Sequence, residues 1–234
     1  MEMVGTRRVL LAVCAAIMVL HVVAVGVRTI ARPTSGALPD VLALLNAAQE
    51  RSLASWWTSA LLVACCLVAT AASLLASGGM ARGWVTWAWL VLAVVFAVLS
   101  LDEVVSLHER GAEWTASVFE TSSLLGRLGW TIPATAILVL SLAVLVPAFR
   151  ALPSRPRLLI LAGLTTSIGG ALGMEVVNVL LTDAGARYLW RHTAMAVEEA
   201  AEMTGVVIVL LGLLTAVQVR RADRQFTVTY DIAT

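Results

Sequence analysis

The chain has 234 residues, of which 60% are hydrophobic and 13% are charged, and its mean hydropathy is +0.91. Soluble domains contain about 45–50% apolar and about 25% charged residues, so this composition excludes an ordinary soluble domain and indicates that lipid is the solvent. The formal net charge of +1 gives no general attraction to nucleic acid, and we expect no nucleic-acid partner.

Apolar segments of membrane-spanning length follow one another along the chain. A bilayer core about 30 Å thick is crossed by a helix of about 20 apolar residues. Six segments meet this requirement: Val9–Thr29, Ser55–Ser77, Trp84–Leu107, Thr131–Phe149, Leu158–Leu181 and Thr193–Val219. Two further stretches, Leu38–Arg51 and Glu109–Leu128, have the mixed pattern of helices that lie in the membrane interface. We predict an all-α integral membrane protein, a bundle of about six transmembrane helices with one or two interfacial amphipathic helices.

The domain organisation and the orientation follow from these spans. Residues 1–219 form a single transmembrane helical domain, and residues 220–234 form a short polar C-terminal tail. Nine arginines fall on the side of the two termini and seven on the other side. The excess of arginine near the span ends predicts a multipass protein of the cell inner (plasma) membrane with both termini in the cytoplasm.

Two features inside the spans predict local packing. His21 stands alone midway along the first span, and we expect it to be a hydrogen-bonded interior residue. Gly169 and Gly173 in the fifth span have the small-xxx-small spacing that allows a close approach of two helices.

Acidic and histidine side chains collect near one end of three predicted spans. Such side chains are costly inside a membrane helix, at about 2.5–3.5 kcal/mol each on insertion scales. They are Asp102, Glu103, His108, Glu109, Glu175, His192, Glu198, Glu199 and Glu202. The third and fifth spans run opposite to the sixth, so these groups lie on the same side of the membrane. Glu175 precedes Leu181 by six residues, which places it about 9 Å from the helix end.

Helical periodicity places several of these groups on common faces. The faces are Asp102, Ser106, Glu109 and Glu113 in the third span, and His192, Met195, Glu199 and Glu202 in the sixth. If these faces turn inward, about five carboxylates and up to two imidazoles converge. So many carboxylates cannot all remain ionised in a low dielectric without shared protons or a compensating cation.

A divalent metal ion, iron, manganese or zinc, is the simplest such cation. Carboxylates and histidines together are the ligand set of di-iron and di-manganese bundles, although their Glu-x-x-His spacing does not occur here. The predicted metal ligands are Asp102, His108, Glu109, Glu175, His192, Glu199 and Glu202, and the predicted catalytic residues are Asp102, Glu103 and Glu198. The alternative is that the outermost acids are solvated and that Glu103 and Glu198 form hydrogen bonds between helices.

Three strings resemble a known group of proteins. They are SLDEVVSLHE (100–109), GMEVVN (173–178) and VEEAAEMTG (197–205). They are similar to the SxDExxxxHE and EExxEM motifs of an uncharacterised family of bacterial multipass membrane proteins. The resemblance covers over half of the chain and implies no activity.

The first functional hypothesis is therefore a metal-dependent membrane enzyme that acts on a lipophilic small molecule entering from the bilayer. A cation or proton transporter is the second, although the inner halves of the spans are almost wholly apolar. A metal-free cyclase, in which a carboxylic acid protonates an apolar substrate, is the third. A non-enzymatic sensor or assembly partner is the fourth.

Overall fold

The structure is a computed structural model that describes residues 2–49, 51–77, 83–118, 131–152, 154–222 and 225–230. Within these ranges the chain forms the helices α1 (Glu2–Ala31), α2 (Leu38–Leu45), α3 (Leu53–Ser77), α4 (Gly83–Val105), α5 (Leu107–Val118), α6 (Thr131–Ala151), α7 (Ser154–Asp183) and α8 (Tyr188–Ala216). Two short strands, β1 (Val217–Ala222) and β2 (Gln225–Tyr230), follow and pair as an antiparallel hairpin.

Five helices are long and apolar enough to cross a membrane, namely α1, α3, α4, α7 and α8. Helix α6 is also apolar, with a shorter described stretch at Thr131–Val146. Each of the six predicted spans falls on a helix, so the expected helical architecture is confirmed. By length and composition, these helices indicate a membrane protein.

The segments outside the spans differ in part from expectation. Helix α2 covers only the first half of the predicted stretch Leu38–Arg51. Helix α5 covers the first half of the predicted stretch Glu109–Leu128, and residues 119–128 lie outside the described part of the chain. The β1–β2 hairpin begins with the last three residues of the predicted sixth span, 217–219, and lies largely in the predicted polar tail. Its alternating valines and threonines suit paired strands.

Helices α3 and α4 form an antiparallel pair joined by serine hydroxyls. The Ser59 and Ser100 hydroxyl oxygens are 2.8 Å apart, and the Ser73 hydroxyl donates to the Thr86 carbonyl at 3.0 Å. Helix α3 also contacts α8, so it lies between α4 and α8. Small side chains such as those of Cys65 and Ala69 are buried, which lets the helix axes approach closely.

Helices α7 and α8 pack backbone against backbone along a seam of glycines. A Cβ atom added to Gly205 would lie 2.5 Å from the Ser167 nitrogen, and one added to Gly163 would lie 2.6 Å from the Gly205 carbonyl oxygen. Gly170 and Gly212 continue the seam one heptad further on each helix. The prediction that Gly169 and Gly173 mediate close approach is wrong, because both face open space.

The seam makes a prediction about stability. Gly205→Ala places a methyl group against the α7 backbone, which cannot give way as a flexible side chain would, and should cost about 1–3 kcal/mol. For a chain of this size, each kcal/mol lowers the melting temperature of the detergent-solubilised protein by about 2–4 °C. Gly169→Ala is the matched control and should not lower the melting temperature. Equal melting temperatures of the two variants would contradict the seam.

Candidate functional site

A cavity of about 330 Å³ lies at the end of the bundle where α1 ends and α8 begins. We call this end of the bundle the pocket end. The cavity is lined by Arg28 of α1, by Asn46, Ala48 and Gln49 of the segment after α2, and by Tyr188, Arg191, His192 and Met195 of α8. Three separate parts of the chain therefore build it.

Helical spacing explains the contribution of α8. Tyr188, Arg191, His192 and Met195 are related by steps of three and four residues, so they share one face of the helix. The helix begins at Tyr188, directly after Arg187, whose side chain makes no capping hydrogen bond. The first-turn N–H groups of α8 thus bring the positive end of the helix dipole to the cavity.

The segment after α2 is a tight turn. The Gln49 N–H donates to the Asn46 carbonyl at 3.0 Å, which closes a four-residue turn over residues 46–49. The Asn46 side-chain oxygen accepts from the Ala48 N–H at 3.3 Å, as asparagine commonly does in turns. The turn brings Asn46, Ala48 and Gln49 to the lining of the cavity.

The charged residues among the described lining of the cavity are both arginines. Arg28 and Arg191 carry guanidinium groups, which remain protonated in proteins and offer hydrogen-bond donors only. Among the residues that the structure describes, eight line the cavity, and none of these is Asp or Glu. The cavity therefore favours a ligand that carries negative charge and hydrogen-bond acceptors.

Two imidazoles lie beside one another at this end of the bundle. The His192 ring packs against the Tyr188 ring with 4.0 Å between centroids and lies 6.4 Å from the His21 ring. The His192 Nδ1 atom is buried and makes no hydrogen bond to the described residues. His21 is buried, and its Nδ1 accepts the Ala47 N–H at 3.0 Å. The expectation that His21 is a hydrogen-bonded interior residue is confirmed.

The predicted acids of α7 and α8 lie deeper along the same helices. Glu198 accepts a 2.8 Å hydrogen bond from the Asn178 amide, which joins α8 to α7. A hydrogen bond between helices is the role that the sequence offered for Glu198 as the alternative to catalysis. Glu175 is half-buried on α7, and Glu199 and Glu202 are half-buried on α8.

The acids of α4 belong to a different pair of helices. Asp102 and Glu103 are half-buried near the end of α4, which packs against α3 and α6, whereas α7 packs against α8. The predicted continuous face through Ser106 and Glu109 is interrupted, because α4 ends at Val105 and Ser106 has φ of +55°. A left-handed residue redirects the chain, so α5 does not continue the phase of α4. The backbone of His108 and Glu109 lies in α5, and their side chains are outside the described part of the structure.

These placements leave the predicted metal site without support. Among the described side chains, no three His, Cys, Asp or Glu residues form a group that could hold a metal ion. His192 lines the cationic cavity instead of facing a cluster of acids.

The chain matches one protein family over residues 9–217, which include all five membrane-length helices apart from the N-terminal residues of α1. It belongs to the family described as "Domain of unknown function (DUF8692)". No curated protein and no solved structure matches the chain. The description of DUF8692 agrees with the expected uncharacterised family and carries no activity.

Of the eight described lining residues only His192 was predicted as a site residue. The other seven are Arg28, Asn46, Ala48, Gln49, Tyr188, Arg191 and Met195. The face defined by His192 and Met195 was recognised in the sequence, and extending it by one turn towards the N-terminus reaches Tyr188 and Arg191. This helical spacing is the sequence pattern that could have predicted Tyr188 and Arg191 as lining residues. No sequence pattern predicts that residues 46–49 line the cavity, because their position depends on how the turn folds.

The break at Ser106 makes a second prediction. Asparagine tolerates the left-handed conformation, whereas a β-branched residue does not. Ser106→Val should therefore lower the free energy of unfolding by about 1–3 kcal/mol relative to Ser106→Asn. Thermal unfolding of the two purified variants measures this difference. If Ser106→Val is as stable as Ser106→Asn, then α4 and α5 form one continuous helix.

Proposed function

We propose that this membrane protein binds a lipophilic molecule that carries an anionic headgroup, such as a phosphate or a carboxylate, with the headgroup seated between Arg28 and Arg191. The observation that carries the proposal is the presence of two guanidinium groups in a cavity whose eight described lining residues include no acid. Arginine is the residue best suited to bind phosphate and carboxylate groups, since its planar fork forms two parallel hydrogen bonds.

The other polar groups of the cavity support an anion. Two residues with neutral amide side chains, Asn46 and Gln49, also line the cavity, and the uncapped start of α8 adds the favourable end of a helix dipole. A volume of about 330 Å³ accommodates a small headgroup and not a whole lipid. The rest of such a ligand has to lie outside the cavity.

Exposed apolar side chains near the cavity end of α1 and α8 support a lipophilic ligand. Ile30, Leu189 and Trp190 are 86%, 67% and 62% exposed. In a bilayer these side chains contact acyl chains, so this end of the bundle offers lipid-facing surface beside the arginines. This retains the expected lipophilic ligand that enters from the membrane.

The side of the membrane follows from the predicted orientation. The N-terminal end of α1 and the C-terminal end of α8 lie at the end of the bundle opposite to the cavity. The predicted orientation has the protein in the cell inner (plasma) membrane with both termini in the cytoplasm. In this orientation the cavity faces away from the cytoplasm. A metal-dependent enzyme, a cation or proton transporter and a metal-free cyclase stay predictions. An anionic headgroup site serves as the substrate site in the two enzyme hypotheses, whereas a cation or proton transporter requires a separate site for its substrate.

Replacement of the two arginines tests the proposal. The protein is placed in nanodiscs of phosphatidylcholine that contain a titrated fraction of phosphatidic acid, and lipid retained on the purified protein is counted by native mass spectrometry. Arg28→Gln and Arg191→Gln should each weaken retention of phosphatidic acid about tenfold, equivalent to about 1.4 kcal/mol. Phosphatidylcholine retention should not change.

Arg155→Gln is the matched control. Arg155 is exposed at the start of α7, at the opposite end of the bundle, so its loss should leave retention of phosphatidic acid unchanged. Inorganic phosphate added in excess separates a soluble anion from a lipid, since it should displace phosphatidic acid only weakly. Equal effects of all three arginine variants, or no preference of the unmodified protein for phosphatidic acid, would overturn the proposal.

A further inference from the structure

The turn of residues 46–49, which we call the strap, forms one wall of the cavity. It contributes three of the eight lining residues, and two of them are the amides that supplement the arginines. Between the described residues, its backbone hydrogen bond to α2 lies at its own start, where the Asn46 N–H donates to the Ala43 carbonyl at 3.1 Å. What holds the strap against α1 therefore determines the shape of the cavity.

The strap is held against α1 by one imidazole. His21 Nδ1 accepts the Ala47 N–H at 3.0 Å, and the two residues are 26 positions apart in the chain. The Asn46 side chain and the His192 main chain also interact with the His21 side chain. His21 is 2% exposed and Ala47 is 2% exposed, so water does not replace the bond between them.

The same imidazole connects the strap to α8. Because Nδ1 is the acceptor for Ala47, the ring proton of the neutral imidazole lies on Nε2. The His192 ring is 6.4 Å away, and His192 lines the cavity. His21 thus contacts two of the three chain segments that build the cavity and belongs to the third, although it does not line the cavity itself.

We propose that His21 is a positioning residue that sets the binding geometry of the cavity by fastening the strap to α1 and α8. This inference rests on the proposed headgroup site. His21 has no contact with the ligand, and its Nδ1 lone pair keeps Asn46 and Gln49 turned towards the headgroup. Loss of that lone pair leaves a buried N–H without a partner, so the strap moves outward to reach water.

The substitutions that test the positioning role differ in whether residues 21 and 47 can form their hydrogen bond. His21→Leu fills the space but has no acceptor, whereas His21→Asn provides an oxygen at nearly the position of Nδ1. Ala47→Pro removes the N–H donor and leaves His21 intact. Ala47 occupies the second position of the four-residue turn, where proline is favoured, so the backbone tolerates this change.

Two readouts are measured on each full-length variant. The first is retention of phosphatidic acid in nanodiscs. The second needs no ligand: it is the rate at which a water-soluble maleimide labels the thiol of Ala48→Cys, in a background carrying Cys14→Ala, Cys65→Ala and Cys66→Ala. Ala48 lines the cavity within the strap, so its labelling rate reports strap displacement.

His21→Leu and Ala47→Pro should each weaken retention at least tenfold and raise the labelling rate at least threefold. Their effects should not add in the double variant, because both remove the same hydrogen bond. His21→Asn should restore both readouts to within about threefold of the unmodified protein, which a role in filling space alone would not produce.

The outcomes separate this inference from the proposed function. If the unmodified protein retains no phosphatidic acid but His21→Leu still accelerates labelling, the headgroup site is wrong and the anchoring of the strap stands. If His21→Leu leaves the labelling rate unchanged, or if His21→Asn is as impaired as His21→Leu in both readouts, the positioning role is overturned.

Discussion

A buried imidazole in an apolar helix is the constraint on which the pocket end of the molecule depends. His21 lies in the longest apolar stretch of α1, where an unpartnered polar nitrogen would be costly. Its partners come from elsewhere, from the Ala47 N–H and from the neighbourhood of His192. Satisfying one side chain therefore brings together α1, the strap and α8, and the cavity is the space left between them. A hydrophobic residue at position 21 would pack equally well with many arrangements of these segments, whereas a directional hydrogen bond selects one.

The position of α8 is set from its other side by backbone contact with α7. Between helices in lipid there is little hydrophobic driving force, so close packing of small residues and interhelical hydrogen bonds supply the attraction. Gly163, Gly170, Gly205 and Gly212 allow that close packing, and the bond between Asn178 and Glu198 adds a polar contact. Helix α8 is consequently held against α7 from Glu198 to Gly212, and the cavity with its two arginines forms at the N-terminal end of α8, beyond this contact.

The sequence predicted the helices well because bilayer thickness dictates their length, and all six expected spans fall on helices. It also predicted that His21 is a hydrogen-bonded interior residue, since a lone imidazole in such a helix needs a partner. The partner itself was not predictable, because Ala47 reaches His21 only through the folding of a turn.

The prediction that Gly169 and Gly173 mediate a close helix contact was wrong, because residue spacing alone does not tell which face of α7 packs against α8. The predicted face of Asp102, Ser106, Glu109 and Glu113 assumed that α4 continues through Ser106, and a single left-handed residue breaks that phase. The cationic cavity was missed because Arg28 and Tyr188 look like ordinary helix ends.

The central claim is that the strap and the start of α8 face each other across one cavity. Cross-linking in native membranes tests it most directly, with Gln49→Cys and Arg191→Cys introduced together into a cysteine-free chain that carries a protease site between α3 and α4. A short bismaleimide should join the two thiols, so that the fragments stay together after cleavage. Ser59→Cys with Ser100→Cys, whose native hydroxyls are 2.8 Å apart, is the positive control. Separation of the fragments for the first pair, with the control pair joined, would contradict the account.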